Sequence, residues 1–181
     1  MVPFQQPLAV AVMLSDRVQT AMEHIAIHEY NLAGCEWGGV LWGNVLQLRR
    51  TRGLVPVISL ATSGICHATP TSCDITAASW DRVRLRKEGI NTSGLDVVGL
   101  WHSHPKMGIF TSGADQQSLW SFAHIPAWTS LIIDPWKAQR GAFSRIGEKT
   151  LGKITICDIN DDDARTLEHL QRRWVNHVQS V

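Results

Sequence analysis

Apolar residues along this chain fall in short runs, each about one strand long, or recur at helical spacing. Polar residues separate the runs. "LAVAVML" (8–14) predicts a strand. Ser15 follows as a helix N-cap, and Val18, Ala21, Ile25 and His28 share one face of the helix after it. Asn31 to Cys35 read as a loop. "GGVLWG" (38–43) enters a strand that pairs with "NVLQLRR" (44–50) across a tight connection, and "LVPVISLAT" (54–62) gives a third strand. Pro56 marks that strand as an edge or an irregular start. "SGICHATPTS" (63–72) has no period and reads as irregular.

From Asp74 as a cap to Gly89 as a stop, residues 74–89 predict a second helix. "LDVVGLWH" (95–102) is a buried strand, and "SGADQQSLWSFAH" (112–124) begins another helix. "TSLIIDP" (129–135), "GAFSRIG" (141–147) and "KITICDI" (153–159) are strands, and residues 161–178 close the chain as an amphipathic helix. Strands and helices mix without regular alternation. That pattern predicts an α+β, sandwich-like domain and not a doubly wound parallel sheet.

Composition narrows the picture. A chain of 181 residues fits one domain, 1–181, with a core of its own. With 17 basic and 16 acidic residues the formal net charge is +1, which gives no field to draw nucleic acid or an anionic membrane. Cys35, Cys66, Cys73 and Cys157 form no C-x-x-C pair, so neither a cysteine zinc knuckle nor a secreted disulfide framework is expected. The first apolar run is too short to span a bilayer and lacks a basic leader, which predicts a cytoplasmic, reduced protein. The eight tryptophans divide between core packing and groove lining, and sequence does not sort them.

The chemistry concentrates in "GLWHSHPKMGIFTSGAD" (99–115). His102 and His104 stand at i and i+2, so on extended backbone both imidazoles leave the same face and can reach one ion. Pro105 then turns the chain away. Asp115, at the start of the next helix, can return as a third ligand. Two His, one Asp and a water make a four-coordinate zinc site with an open position. Each half also has a plain structural reading: an isolated H-x-H arises by chance, and Ser112 with Asp115 matches a helix capping box. Zinc hydrolysis needs a base as well, and Glu36, just before the glycine-rich strand, is the candidate.

"EWGGVLWG", then "HSHP", six residues and "SGAD" together resemble the JAMM metalloproteases, the MPN-domain family. The pattern there is a glutamate before G-x-L-x-G, then H-[ST]-H-P-x6-S-x2-D, and it is filled at every chemical position. The resemblance implies the α+β MPN/JAMM (cytidine-deaminase-like) fold, a mixed curved β-sheet flanked by helices. It implies one zinc ion per chain on His102, His104 and Asp115, with Glu36 as general base and Ser112 donating to the oxyanion. Ser103 fills a family position but faces away from the metal if the strand alternates, which makes it structural. The resemblance further implies hydrolysis after the C-terminal glycines of a ubiquitin-like protein, as deconjugation or precursor processing. The chain is similar to small bacterial members, some of them encoded in antiviral operons. Processing of a small sulfur-carrier protein, or a non-catalytic MPN scaffold, are the alternatives. Trp37, Trp42 and Trp101, near the site residues in sequence, are expected to wall a substrate channel.

Three further features have plain readings. His24 and His28, four apart on the first helix, lack the glutamate of an H-E-x-x-H site. Asp161, Asp162 and Asp163 precede a helix and read as capping charge. Cys35 is a reduced thiol beside Glu36.

Overall fold

In the computed structural model, which describes residues 8–64, 66–75 and 94–167, Ser15 is both the last residue of a strand and the cap of a helix. Strand β1 (Ala11–Ser15) runs directly into α1 (Asp16–Ala33), and the Ser15 hydroxyl accepts from the Val18 N–H at 3.4 Å. Helix α1 buries Val18, Met22 and Ala26. These lie four apart, one step round from the expected face, and His28 is exposed. The helix persists to Ala33, through most of the expected loop, and ends where the Gly34 N–H donates to the Tyr30 carbonyl at 2.7 Å.

Then come β2 (Gly38–Gln47), β3 (Leu54–Ser63), β4 (Cys66–Thr69), β5 (Ser72–Ile75), β6 (Asp96–Ser103), α2 (Gly113–Ser121), β7 (Thr129–Asp134), β8 (Gln139–Gly147) and β9 (Thr150–Ile159), with 161–167 helical. Two expectations change. Residues 38–50 are not a hairpin: β2 is one strand, irregular around Trp42, and it pairs with β3 on one side and β6 on the other. Residues 66–75, expected to be irregular as far as Ser72 and to enter a helix at Asp74, form the β4–β5 hairpin. The expected helix over 74–89 lies almost wholly outside the described residues, as does the tail beyond 167.

The remaining strands form a mixed sheet in the order β1-β3-β2-β6-β7-β8-β9, closed because β1 pairs in parallel with both β3 and β9. The mixed sheet with flanking helices stands. Its closure into a barrel replaces the sandwich-like arrangement and goes beyond the cytidine-deaminase-like expectation. Closure leaves no free edge among these seven strands. Its main core draws on all of them, from Leu14 and Leu41 to Trp101, Leu131 and Ile154, and α1 adds Val18, Met22 and Ala26.

One connection matters for function. Strands β6 and β7 are parallel neighbours. Parallel strands cannot be joined by a tight turn, so the chain must cross over. That crossover contains α2 and carries its first turn back over the end of β6.

Candidate active site

Strand register brings the glutamate to the histidines. Gly38 of β2 is paired with His102 of β6 in antiparallel register. Two residues further along that ladder, Glu36 comes opposite His104. The Ser103 N–H donates to the Trp37 carbonyl at 2.8 Å, so the pairing continues past the end of β2. Gly38 permits this close approach. A Cβ there would stand 2.5 Å from the Trp101 carbonyl oxygen and 3.0 Å from the His102 Cβ.

His102 and His104 leave the same face of extended backbone, and their Nε2 atoms are 3.0 Å apart. The crossover supplies Asp115, with Oδ1 3.2 Å from His102 Nε2 and Oδ2 3.9 Å from His104 Nε2. Glu36 completes the cluster: its carboxylate and the two imidazoles each offer an atom within 4.8 Å of the others. Ligand atoms at ~2.0–2.1 Å from a tetrahedral zinc lie about 3.3 Å from one another. The His–His and His–Asp spacings bracket that value, and two imidazoles with one carboxylate are a donor set zinc accepts. These residues fit the ion.

Ser112 caps α2. Its hydroxyl accepts from the Asp115 N–H at 3.2 Å, while the Ser112 N–H donates to Asp115 Oδ2 at 2.7 Å. The capping-box reading holds, and it leaves Asp115 Oδ1 facing His102. Fixing one carboxylate oxygen at the helix start aims the other at His102.

Burial sets the protonation states. It holds His102 down at about 4 despite the opposing charge of Asp115. It also lowers His104, so both imidazoles are neutral near pH 7, as ligands must be. Glu36 is 3% exposed, and burial, with the Asp115 charge adding to it, pushes its carboxyl up to about 8. His104 Nδ1 bonds to the Gly108 carbonyl at 3.2 Å. A carbonyl only accepts, so Nδ1 carries the hydrogen and Nε2 keeps the lone pair facing the cluster.

Residues 18–144 match the family model of prokaryotic homologs of the JAB domain, Prok-JAB. The chain belongs to the Prok-JAB family. The Prok-JAB match runs from α1 through β8 and encloses Glu36, His102, His104, Ser112 and Asp115. Among solved structures, protein DSY2949 from Desulfitobacterium hafniense is similar at a TM-score of 0.58 and 18% identity, over 82% of this chain and 93% of that one. At that identity the likeness is one of fold. No curated protein matches.

The four ionisable residues and Ser112 line a cavity of about 590 Å³. Part of its wall was not anticipated: Thr71 to Ile75 of the hairpin, and Phe110. Phe110 is 46% exposed with its ring 4.5 Å from that of His104. The available signal was a large apolar residue in the short loop between the histidines and Ser112. Cys73 also faces this cavity, and its hydrogen bond with Cys66 holds the Cys66 thiol below its usual range.

Of the three expected channel walls, Trp101 borders the cavity, while Trp37 and Trp42 are not part of its lining. Trp42 is 2% exposed and Trp101 is wholly buried, with the indole N–H groups donating to Thr62 Oγ1 and to the Thr62 carbonyl. On β6, Trp101 alternates with His102, so its side chain leaves the opposite face. Trp37 is half-buried and donates to Ser63 Oγ at 2.8 Å. His24 and His28 are exposed. The helix at 161–167 is capped by Asn160, whose Oδ1 accepts from the Asp163 N–H at 2.7 Å. Cys35 is a free thiol, half-buried, donating to the Ala33 carbonyl.

Proposed function

We propose that this chain is a zinc-dependent peptidase that hydrolyses the amide or isopeptide bond after the C-terminal glycines of a ubiquitin-like protein. The observation that carries the reading is the convergence of Glu36, His102, His104 and Asp115 on one cavity in a Prok-JAB chain. His102, His104 and Asp115 would hold the zinc ion, which when bound would lower the pKa of a water to about 7 from ~15.7 and serve as a Lewis acid for the scissile carbonyl. Glu36, buried beside the imidazoles, takes the proton from the attacking water and delivers it to the leaving amine. The Ser112 Oγ accepts from its helix, which leaves the hydroxyl hydrogen to donate to the oxyanion forming on the substrate carbonyl. A preorganised donor of this kind is worth about 3–4 kcal/mol.

The hairpin favours an extended substrate. Thr69 of β4 accepts from the Glu36 N–H at 2.9 Å, which ties the hairpin to the body, and β5 residues line the cavity. A tail added along β5 gains backbone hydrogen bonds that set its register, and glycines let the scissile carbonyl approach closely. Four free cysteines suit a reducing cytoplasm. Among the described residues no helix is long and apolar enough to cross a membrane.

The test is cleavage of a ubiquitin-like protein fused through Gly-Gly to a reporter, comparing wild type with Glu36→Gln, alongside zinc analysis. Cleavage after the glycines by the zinc-loaded wild type alone supports the proposal. A zinc-loaded wild type that leaves the fusion intact would remove this substrate and turn attention to a small sulfur-carrier precursor. A chain that holds no zinc would favour a scaffold.

A further inference from the structure

We infer that Asp134 is a positioning residue for the metal centre, fixing the tautomer and aim of His104 through the loop between them; this rests on His104 being a ligand. Asp134 ends β7, and β7 is the parallel neighbour of the strand that carries the histidines. Its side chain is wholly buried, and its charge bears on His104 from across the loop. Its carboxylate accepts from four backbone N–H groups. Gly108 donates to Oδ2 at 2.8 Å, and Lys106, Trp136 and Lys137 donate to Oδ1 at 3.2 Å each. Two donors belong to the Asp134 turn itself. The other two belong to the loop that leaves His104.

That loop is not one the backbone adopts unaided. Lys106 has φ +63 and Gly108 has φ +81, both in the left-handed region. Paired N–H donors on one buried carboxylate hold it in place. The outcome is at Gly108, whose N–H is bound by Asp134 and whose carbonyl accepts the His104 Nδ1–H at 3.2 Å. One peptide-linked residue thus connects the carboxylate to the imidazole. With Nδ1 holding the hydrogen, Nε2 keeps its lone pair toward His102 and Asp115. The backbone takes the part that a side-chain carboxylate commonly takes behind a metal-bound histidine. A purely structural Asp134 would anchor the turn after β7 and would need no donor from residues 106 and 108.

The test uses the full chain with Asp134→Asn and, separately, Gly108→Ala. In the first an amide NH₂ meets the N–H donors; the second leaves the carboxylate and strains the loop. Three quantities are read: zinc Kd by chelator competition, the visible spectrum of the cobalt(II)-loaded protein, and the His104 tautomer by ¹⁵N NMR of the metal-free protein. The expected result is a metal Kd raised about 10–100-fold in both variants, with a changed cobalt spectrum and loss of the single Nδ1–H tautomer. Unchanged Kd, spectrum and tautomer in the folded variants would overturn the inference. If wild type binds neither zinc nor cobalt, the metal reading itself fails, and an unchanged tautomer in the variants would then overturn the role of Asp134 as well.

Discussion

Ser103 and Trp37 hold each other by two hydrogen bonds: the Ser103 N–H donates to the Trp37 carbonyl at 2.8 Å, and the Trp37 N–H donates to the Ser103 hydroxyl at 3.1 Å. Each residue is the chain neighbour of a site group, Glu36 on one side and His102 and His104 on the other. The pair fixes the separation of base and ligands without entering the cavity. Ser103→Ala leaves the Trp37 N–H without its acceptor, which costs about 1–3 kcal/mol. Urea denaturation should show that loss. Zinc content should stay near wild type while kcat falls more than KM rises, and Ser103→Thr, which keeps the acceptor, should recover most of both.

Glu36 and Asp115 are both carboxylates at one cluster, and metal analysis separates them. Glu36→Ala should retain about one zinc per chain, as expected when three other side chains can fill the set. Its hydrolysis should drop by roughly 10²–10⁴-fold, the usual contribution of a general base. Asp115→Ala should lose zinc and activity together. Full activity in Glu36→Ala would assign the base elsewhere.

Metal-free protein should become less stable as pH rises because of Glu36. Its folded-state carboxyl sits at about 8 against an ordinary 4.5, so between those values the folded state binds the extra proton. The resulting penalty grows by about 1.4 kcal/mol per pH unit across that window and is absent below it. Glu36→Gln should therefore stabilise metal-free protein more at pH 7.5 than at pH 5, judged by Tm. An equal gain at both pH values would count against a buried, proton-holding Glu36.

Ser112 has two roles that one substitution can divide. Glycine is a fair N-cap, costing only a few tenths of a kcal/mol against serine, but it has no hydroxyl. Ser112→Gly should leave Tm nearly unchanged and lower kcat by about 10²–10³-fold, as loss of an oxyanion donor does. A kcat within a few-fold of wild type would leave Ser112 as a cap alone.

Most strands and the first helix cap were legible because their patterns are local. Ser15 caps α1 as its sequence predicts, and the run 95–102 forms the strand that delivers the histidines. The break at Gly43-Asn44 misled because it looks like a turn. The glycine is there for contact, since a Cβ would stand 1.9 Å from the Val57 carbonyl oxygen as β3 passes. The β4–β5 hairpin was hidden because residues 66–75 are mixed and polar, with no hydrophobic alternation to mark a two-stranded ribbon. Closure of the sheet depends on β1 meeting β9 across the length of the chain, a pairing no window contains. The tryptophans show that nearness in sequence is not nearness in space: Trp42 lies in the core away from the cavity, and strand alternation turns the Trp101 side chain to the face opposite His102 even though Trp101 borders the cavity. Asp134 lies inside the run 129–135, whose pattern predicts only a strand. Its acidity in an otherwise apolar run was the signal that something had to bind it.

The crossover between β6 and β7 divides the site into a fixed half and an arriving half. Glu36, His102 and His104 are set by paired strands of a closed sheet, so none moves without the ladder moving. Asp115 and Ser112 belong to the first turn of α2, and the same pair of hydrogen bonds that starts this helix also aims the Asp115 carboxylate at the histidines. On the proposed metal reading, nucleating α2 and completing the coordination sphere would be one event. Chelating the ion should therefore register first as fraying at residues 112–115, in amide exchange, while the barrel beneath stays protected.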